Sequence, residues 1–130
     1  MIVLDASVVI AHLSSRHPHH ARSFVLLDTE AELALHPVTL AETLVLPARE
    51  RREELVLAAL RRLGVEQLEP DAAEPQAVAR LRAETGLGLP DCYVLHAAER
   101  LGAGLATFDE RLSSIARERG VLLHDGELAI

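Results

Sequence analysis

Short aliphatic runs in this chain are each followed by a stretch with helical periodicity, and that alternation restricts the fold more than any other feature. Ile2–Leu4 reads as a first strand, after which Ala6, Val9, Ile10 and Leu13 recur at i, i+3, i+4 and i+7, one stripe of a helix. The polar loop SSRHPHH leads into a second helix through Phe24 and Leu27. Residues 32–36 (ELALH) read as a second strand ended by Pro37, followed by helices over 39–47 and 50–63, broken at Pro47 and closed by Gly64. VEQL at 65–68 is a third strand, 72–85 a helix ending in the loop GLGLP, and Pro90 the first residue of the next helix, stopped by Gly102. GLAT at 104–107, a helix over 110–119 stopped by Gly120, and a last strand VLLH at 121–124 complete the pattern.

Strands separated by helices pair in parallel, because a parallel partner is reached only by a crossover. The expected fold class is α/β: a three-layer sandwich with a short, mostly parallel central sheet of about four or five strands and helices on both faces. The 130 residues are one domain without linker, repeat or low-complexity segment. With one Tyr, two Phe and no Trp, the core must be aliphatic. In open sheets of this kind the ligand crevice lies beyond the carboxyl ends of the strands, near the switch in strand order.

Charge narrows the chemistry. The formal net charge is −7, and all thirteen basic residues are Arg. The absence of Lys excludes a P-loop and any other mechanism that needs a catalytic or phosphate-binding Lys. An acidic total argues against holding nucleic acid by bulk electrostatics, so RNA or DNA would need a local Arg patch or bridging metal ions. Cys92 is the sole cysteine, which excludes an internal disulfide and disfavours a Cys-based zinc site. No apolar run approaches the ~18–20 residues that cross a bilayer, and the N-terminus lacks a basic signal-like region. A reducing cytoplasm is the expected compartment.

Four acids stand out against this frame. Asp5 ends the first strand and starts a helix; Glu42 is expected in the first turn of the helix after the second strand; Asp91 follows Pro90; Asp109 comes two residues after Thr107. Each is placed at a helix N-terminus, and together they are expected at the carboxyl edge of the sheet. Taken singly, such acids cap free N–H groups and meet the positive end of the helix dipole, and Thr39-x-x-Glu42 matches a capping box. As a set they are harder to explain that way, since two bare carboxylates 4 Å apart repel by about 4 kcal/mol at an effective dielectric near 20. A hard divalent cation such as Mg²⁺ or Mn²⁺ removes that repulsion, and a carboxylate-held ion with open water positions supports phosphodiester hydrolysis.

The segments D-x-S at Asp5–Ser7, Glu42 alone after the second strand, Leu89-Pro90-Asp91 before a small-residue helix (HAAERLG), and T-x-D at Thr107–Asp109 resemble the PIN domain, and more narrowly the VapC-type toxin ribonucleases. The likeness runs from Met1 to about Leu123, and all four acids of the pattern are present. It implies a single PIN-like nuclease domain over 1–130 that cleaves RNA phosphodiesters with Mg²⁺ or Mn²⁺. Asp5, Asp91 and Asp109 would bind the principal metal, and Glu42, with Asp91, would hold a second ion or orient the attacking water. Ser7 and Thr107 would either hydrogen-bond these carboxylates from behind or make local turn and cap bonds. The resemblance further implies a small cognate antitoxin as partner, its tail in the acidic groove, and a homodimer.

Other features have plainer readings. His17, His19 and His20 suggest zinc, but neighbouring side chains seldom converge on one ion, and a loop entering the second helix is the better reading. His12 and His96 are helix residues whose default reading is packing or surface contact, and Cys92 reads as a buried small hydrophobe. ARERREEL at 48–55, with Arg61 and Arg62, reads as an Arg/Glu helix face with Arg49–Glu53 at i,i+4 spacing, either solvated or touching RNA backbone. Two competing functions remain. An aspartate phosphotransfer or phosphatase domain also gathers acids at strand ends, yet receivers need a Lys and the phosphatase pattern needs D-x-D where position 7 is Ser. A non-catalytic binding module would keep the acids only as caps.

Overall fold

The computed structural model describes residues 1–124, and among them five parallel strands form one sheet. In chain order the elements are β1 (Ile2–Leu4), α1 (Ala6–Leu13), α2 (His20–Leu27), β2 (Leu33–Leu35), α3 (Pro37–Arg49) and α4 (Glu53–Arg62). They continue with β3 (Glu66–Gln67), α5 (Glu74–Thr85), α6 (Leu89–Leu101), β4 (Gly104–Ala106), α7 (Glu110–Glu118) and β5 (Leu123–His124). The sheet order is β3-β2-β1-β4-β5, with Ile2 opposite both Leu33 and Gly104. The α/β sandwich expected from the alternation is the fold observed.

Alternate strand residues feed two separate cores, as the period of two requires. Val3, Ala34 and Leu105 face Val78 and Leu81 of α5, Leu95 of α6 and Leu112 of α7. Ile2, Leu4, Leu33, Leu35 and Ala106 face Val8 and Val9 of α1, Leu26 of α2, Leu40 of α3 and Leu60 of α4. The chain builds outward from β1 to β3 through α1–α4 on one face, then returns to β4 and β5 through α5–α7 on the other. Right-handed crossovers dictate this: reversing direction along the sheet moves the connecting helices to the opposite face. The reversal falls between β1 and β4, so the crevice opens where both strands end. Gly104 lets β5 approach closely: a Cβ there would sit 2.7 Å from Nε2 of His124, and the imidazole would have to move aside.

Several boundaries depart from the sequence reading. The third strand is Glu66–Gln67 and the last Leu123–His124, each half the expected length. Helix α3 starts at Pro37, which is its first residue rather than a strand terminator. His36 is the cap: its Nδ1 accepts from the Val38 N–H at 3.0 Å. The Thr39-x-x-Glu42 capping box therefore does not form; Thr39 is fully buried inside the helix, and Glu42 lies in the second turn, not the first. Pro47 does not break α3, which runs on to Arg49, because a proline in the last turn removes only one helical hydrogen bond. The break comes at Arg51, whose φ is +57°, so ARERREEL spans two helices and Arg49–Glu53 is not an i,i+4 pair within one. Leu89 precedes Pro90 as the first residue of α6, making Asp91 the third.

Candidate active site

Asp5 is set in place by the end of β1. Its backbone N–H donates to the Ala106 carbonyl at 2.9 Å, extending the β1–β4 pairing by one residue, and its carbonyl accepts from Val8 at 3.1 Å to open α1. The side chain is 5% exposed and makes no helix-capping bond. Its Oδ2 instead accepts two hydroxyl protons, from Ser7 Oγ at 2.7 Å and Thr107 Oγ1 at 2.8 Å. Each hydroxyl has one proton, so with both given to Asp5 the 3.4 Å approach between Ser7 and Thr107 is a lone-pair contact and not a bond. Each hydroxyl oxygen also accepts a backbone N–H, Ser7 from Phe108 at 3.1 Å and Thr107 from Asp109 at 3.0 Å. This closed arrangement fixes the start of α1 against the end of β4. It leaves Asp5 Oδ1 with no donor among the described residues.

Asp109 is partly occupied. It caps α7 through Oδ1, which accepts from the Leu112 N–H at 2.7 Å, while the residue as a whole is exposed. The capping reading is thus correct for Asp109 and wrong for Asp5. Asp91 is half-buried in the first turn of α6, Glu42 is exposed on α3, and neither receives a hydrogen bond from the described residues.

The four acids act on one another through their charges. Burial pushes the Asp91 carboxyl up to about 6, and the charges of Asp5, Asp109 and Glu42 add to it, opposed by Arg111. Glu42 is raised as well, first by burial and then by Asp5. Acids distant in the chain therefore share one field at the carboxyl edge. Among the described residues no three His, Cys, Asp or Glu side chains stand close enough together to hold a metal ion as they are. The donor chemistry fits a hard divalent ion: all-oxygen ligands, one carboxylate with a free oxygen, and two more without competing donors.

Most of the other singled-out residues have structural roles. His17, His19 and His20 do not converge. His17 Nδ1 accepts from the His19 N–H at 3.1 Å, and His20 Nδ1 lies 2.8 Å from the Ala11 carbonyl. His12 packs against Phe24 in a tilted ring contact at 4.6 Å, and burial lowers its pKa, with His20 adding to the effect. Cys92 is fully buried, its thiol raised first by burial. Two arginines at the crevice escaped the sequence reading. Arg111 lies close enough to Asp91 to lower its pKa, and Arg22 lies over the Phe108 ring at 4.9 Å. Their signal was faint, because both look like ordinary charges on a solvated helix face; Phe108, the unspecified residue of T-x-D, carried none.

A parallel sheet with acids drawn together beyond its carboxyl edge defines an α/β protein whose candidate site is built from carboxylates. Residues 2–118 match the PIN domain model, and the chain belongs to that family. No curated protein sequence matches it significantly. Among solved structures it resembles a toxin–antitoxin complex from Klebsiella pneumoniae (18% identity, TM-score 0.78, 98% of each chain). It also resembles VapC20 from Mycobacterium tuberculosis, a sarcin-ricin loop cleaving toxin (20% identity, TM-score 0.74, 88% of this chain and 95% of that one). A third is VapBC2 from Rickettsia felis bound to a promoter DNA fragment (18% identity, TM-score 0.70, 95% and 98%).

Proposed function

We propose that this chain is a metal-dependent endoribonuclease and the toxin of a VapBC-type toxin–antitoxin pair, working as a single nuclease domain. The observation that carries the reading is the joint field on Asp91, raised to about 6 by burial and by three other acids of the pattern. Asp5, Asp91 and Asp109 would hold the principal Mg²⁺ or Mn²⁺, and Glu42, with Asp91, a second ion or the attacking water. When bound, the ion supplies an activated water and neutralises charge on the leaving oxygen. Ser7 and Thr107 orient Asp5 by holding Oδ2, so that Oδ1 is the oxygen left to ligate. Asp109 divides its carboxylate between the α7 cap and the crevice. Arg111, near Asp91, is placed to meet a phosphate drawn to the same edge.

The similar structures support the substrate and partner assignments: VapC20 is a sarcin-ricin loop cleaving toxin, and the Klebsiella pneumoniae structure is a toxin–antitoxin complex. Exposed apolar side chains also support it. Leu46 and Leu55 are each 60% exposed and, with Leu13, Pro47 and Val56, line a depression between α1, α3 and α4. Contiguous apolar surface of this kind marks a protein contact, which we assign to the antitoxin or a second copy of the chain. No helix among the described residues is long and apolar enough to cross a membrane, and we place the protein in the cytoplasm.

The test incubates purified protein with RNA and Mn²⁺, with and without EDTA, beside Asp5→Asn and Asp91→Asn. Wild-type protein cleaves; chelation or either substitution abolishes cleavage. Equal RNA decay in all samples would trace the activity to a contaminant and remove the catalytic claim.

A further inference from the structure

We propose that His17, His19, Phe108 and Arg22 form a ledge that binds unpaired nucleotides of the RNA beside the scissile phosphate. The inference rests on the nuclease reading and adds to it the residues that would hold the strand. His17 and His19 have ring centroids 5.7 Å apart, and His19 in turn lies 4.8 Å from Phe108, tilted by 36°. Arg22 places its guanidinium 4.9 Å from the Phe108 ring centroid and 3.4 Å from His19 Nδ1. Three rings and one planar cation thus form a continuous run, drawn from the HPHH loop, the first turn of α2 and the segment after β4.

Its position is fixed by the acids. Phe108 lies between Thr107 and Asp109, and its own N–H donates to Ser7 Oγ, the hydroxyl that holds Asp5. The Phe108 backbone is thereby tied to the carboxylates, while its side chain and the other three members can be changed without removing that bond. All four of its residues are only partly buried, so the run as a whole keeps some surface open to solvent. Chemistry selects single-stranded nucleic acid as the ligand. An acidic crevice in a protein of charge −7 repels the phosphate backbone, so a strand reaching it needs local cations and stacking surfaces. Bases splayed from a loop stack on aromatic, His and Arg planes regardless of sequence. This chain has three Phe and Tyr residues in all, and one of them stands at the catalytic edge. A duplex, with its bases stacked inside, would find no use for such a ledge.

Two measurements test it. In Mn²⁺, Phe108→Leu and Arg22→Gln each raise KM for a short unstructured RNA by about tenfold, the lower end of base–aromatic stacking, with kcat kept within about twofold. Phe108→Tyr, which keeps the ring, retains the wild-type KM. Separately, an RNA substituted with 4-thiouridine is photo-crosslinked to Asp91→Asn protein without turnover. Crosslinks map to the tryptic peptides 17–22 and 101–111. Unchanged KM in both variants, a raised KM in Phe108→Tyr as well, or crosslinks confined to other peptides would overturn the ledge. Absence of cleavage by wild-type protein, with crosslinks still on these two peptides, would instead remove the nuclease reading and leave the ledge standing.

Discussion

Asp91 and Asp5 show how one site gives two carboxylates opposite circumstances. Asp5 is held by two hydroxyls, whereas Asp91 receives no hydrogen bond from the described residues and feels three negative neighbours. A carboxyl raised from 3.8 to about 6 binds its proton more tightly in the fold than in the unfolded chain. Its contribution to stability is full below about 3.8 and lost as pH rises through about 6. In EDTA at pH 7.5, Asp91→Asn is therefore more stable than wild type, by roughly 1 kcal/mol once screening of this half-exposed group is allowed for. At pH 4 the two melt together. Thermal unfolding at both pH values checks this, and equal stability at pH 7.5 would mean the acids do not strain one another. Activity has the same origin with the other sign: divalent ion competes with the Asp91 proton, so metal-dependent cleavage falls as pH drops through about 6. Thr107→Val probes the opposite carboxylate. It removes one donor to Asp5 and the acceptor for the Asp109 N–H. The expected loss is about 1–3 kcal/mol in urea unfolding and tenfold or more in kcat.

Among the elements, α3 shows what the sequence could and could not say. Its existence and approximate length were legible from periodicity, and so were the alternation and the placing of Asp5, Asp91 and Asp109 at strand and helix ends. The start of α3 was not, because His36 acts through a tertiary contact invisible in a local window. With Nδ1 accepting from Val38, Nε2 carries the proton, and it donates to Glu74 Oε1 on α5 at 2.6 Å, with both residues buried. Tyr93 of α6 covers the His36 ring at 4.9 Å. One imidazole thus caps α3, ties β2 to α5 and meets α6, which a pattern search reads as an incidental strand-end histidine. The capping-box motif at Thr39 failed for the same reason: burial of Thr39 against the core outweighed a local preference. His36→Leu removes the cap and leaves the Glu74 carboxyl buried without its partner, and is expected to cost about 3 kcal/mol or more in urea unfolding. Glu74→Gln keeps an acceptor for Nε2–H and costs clearly less. Equal losses would place the stabilisation in packing, not in the hydrogen bond.

At the scale of the whole molecule the question is how a protein of charge −7 engages a polyanion. Two answers lead to different salt dependence. If the five helix arginines from Arg49 to Arg62 form a broad basic face, about five phosphate contacts on a single strand would make the apparent affinity fall by roughly a hundredfold between 50 and 200 mM salt. The structure argues against that face, since Arg51 turns the chain between α3 and α4 and Arg52 lies 3.8 Å from Glu50 with both exposed. If contact is confined to the crevice, Arg111, whose charge reaches Asp91, and Arg22, over the Phe108 ring beside Asp109, are the cations in play, and few phosphates are neutralised. For about two contacts on a single strand the slope is near −1.4, so kcat/KM falls only about sevenfold over that range. Measuring kcat/KM for a short RNA at several NaCl concentrations, with Mn²⁺ held saturating, separates the two. A shallow slope would also explain why thirteen arginines coexist with an acidic surface: attraction for RNA is supplied at the catalytic edge, by metal and a few side chains, while the rest of the protein repels it. A steep slope would place RNA on the α3–α4 face and give that surface to the substrate instead of a protein partner.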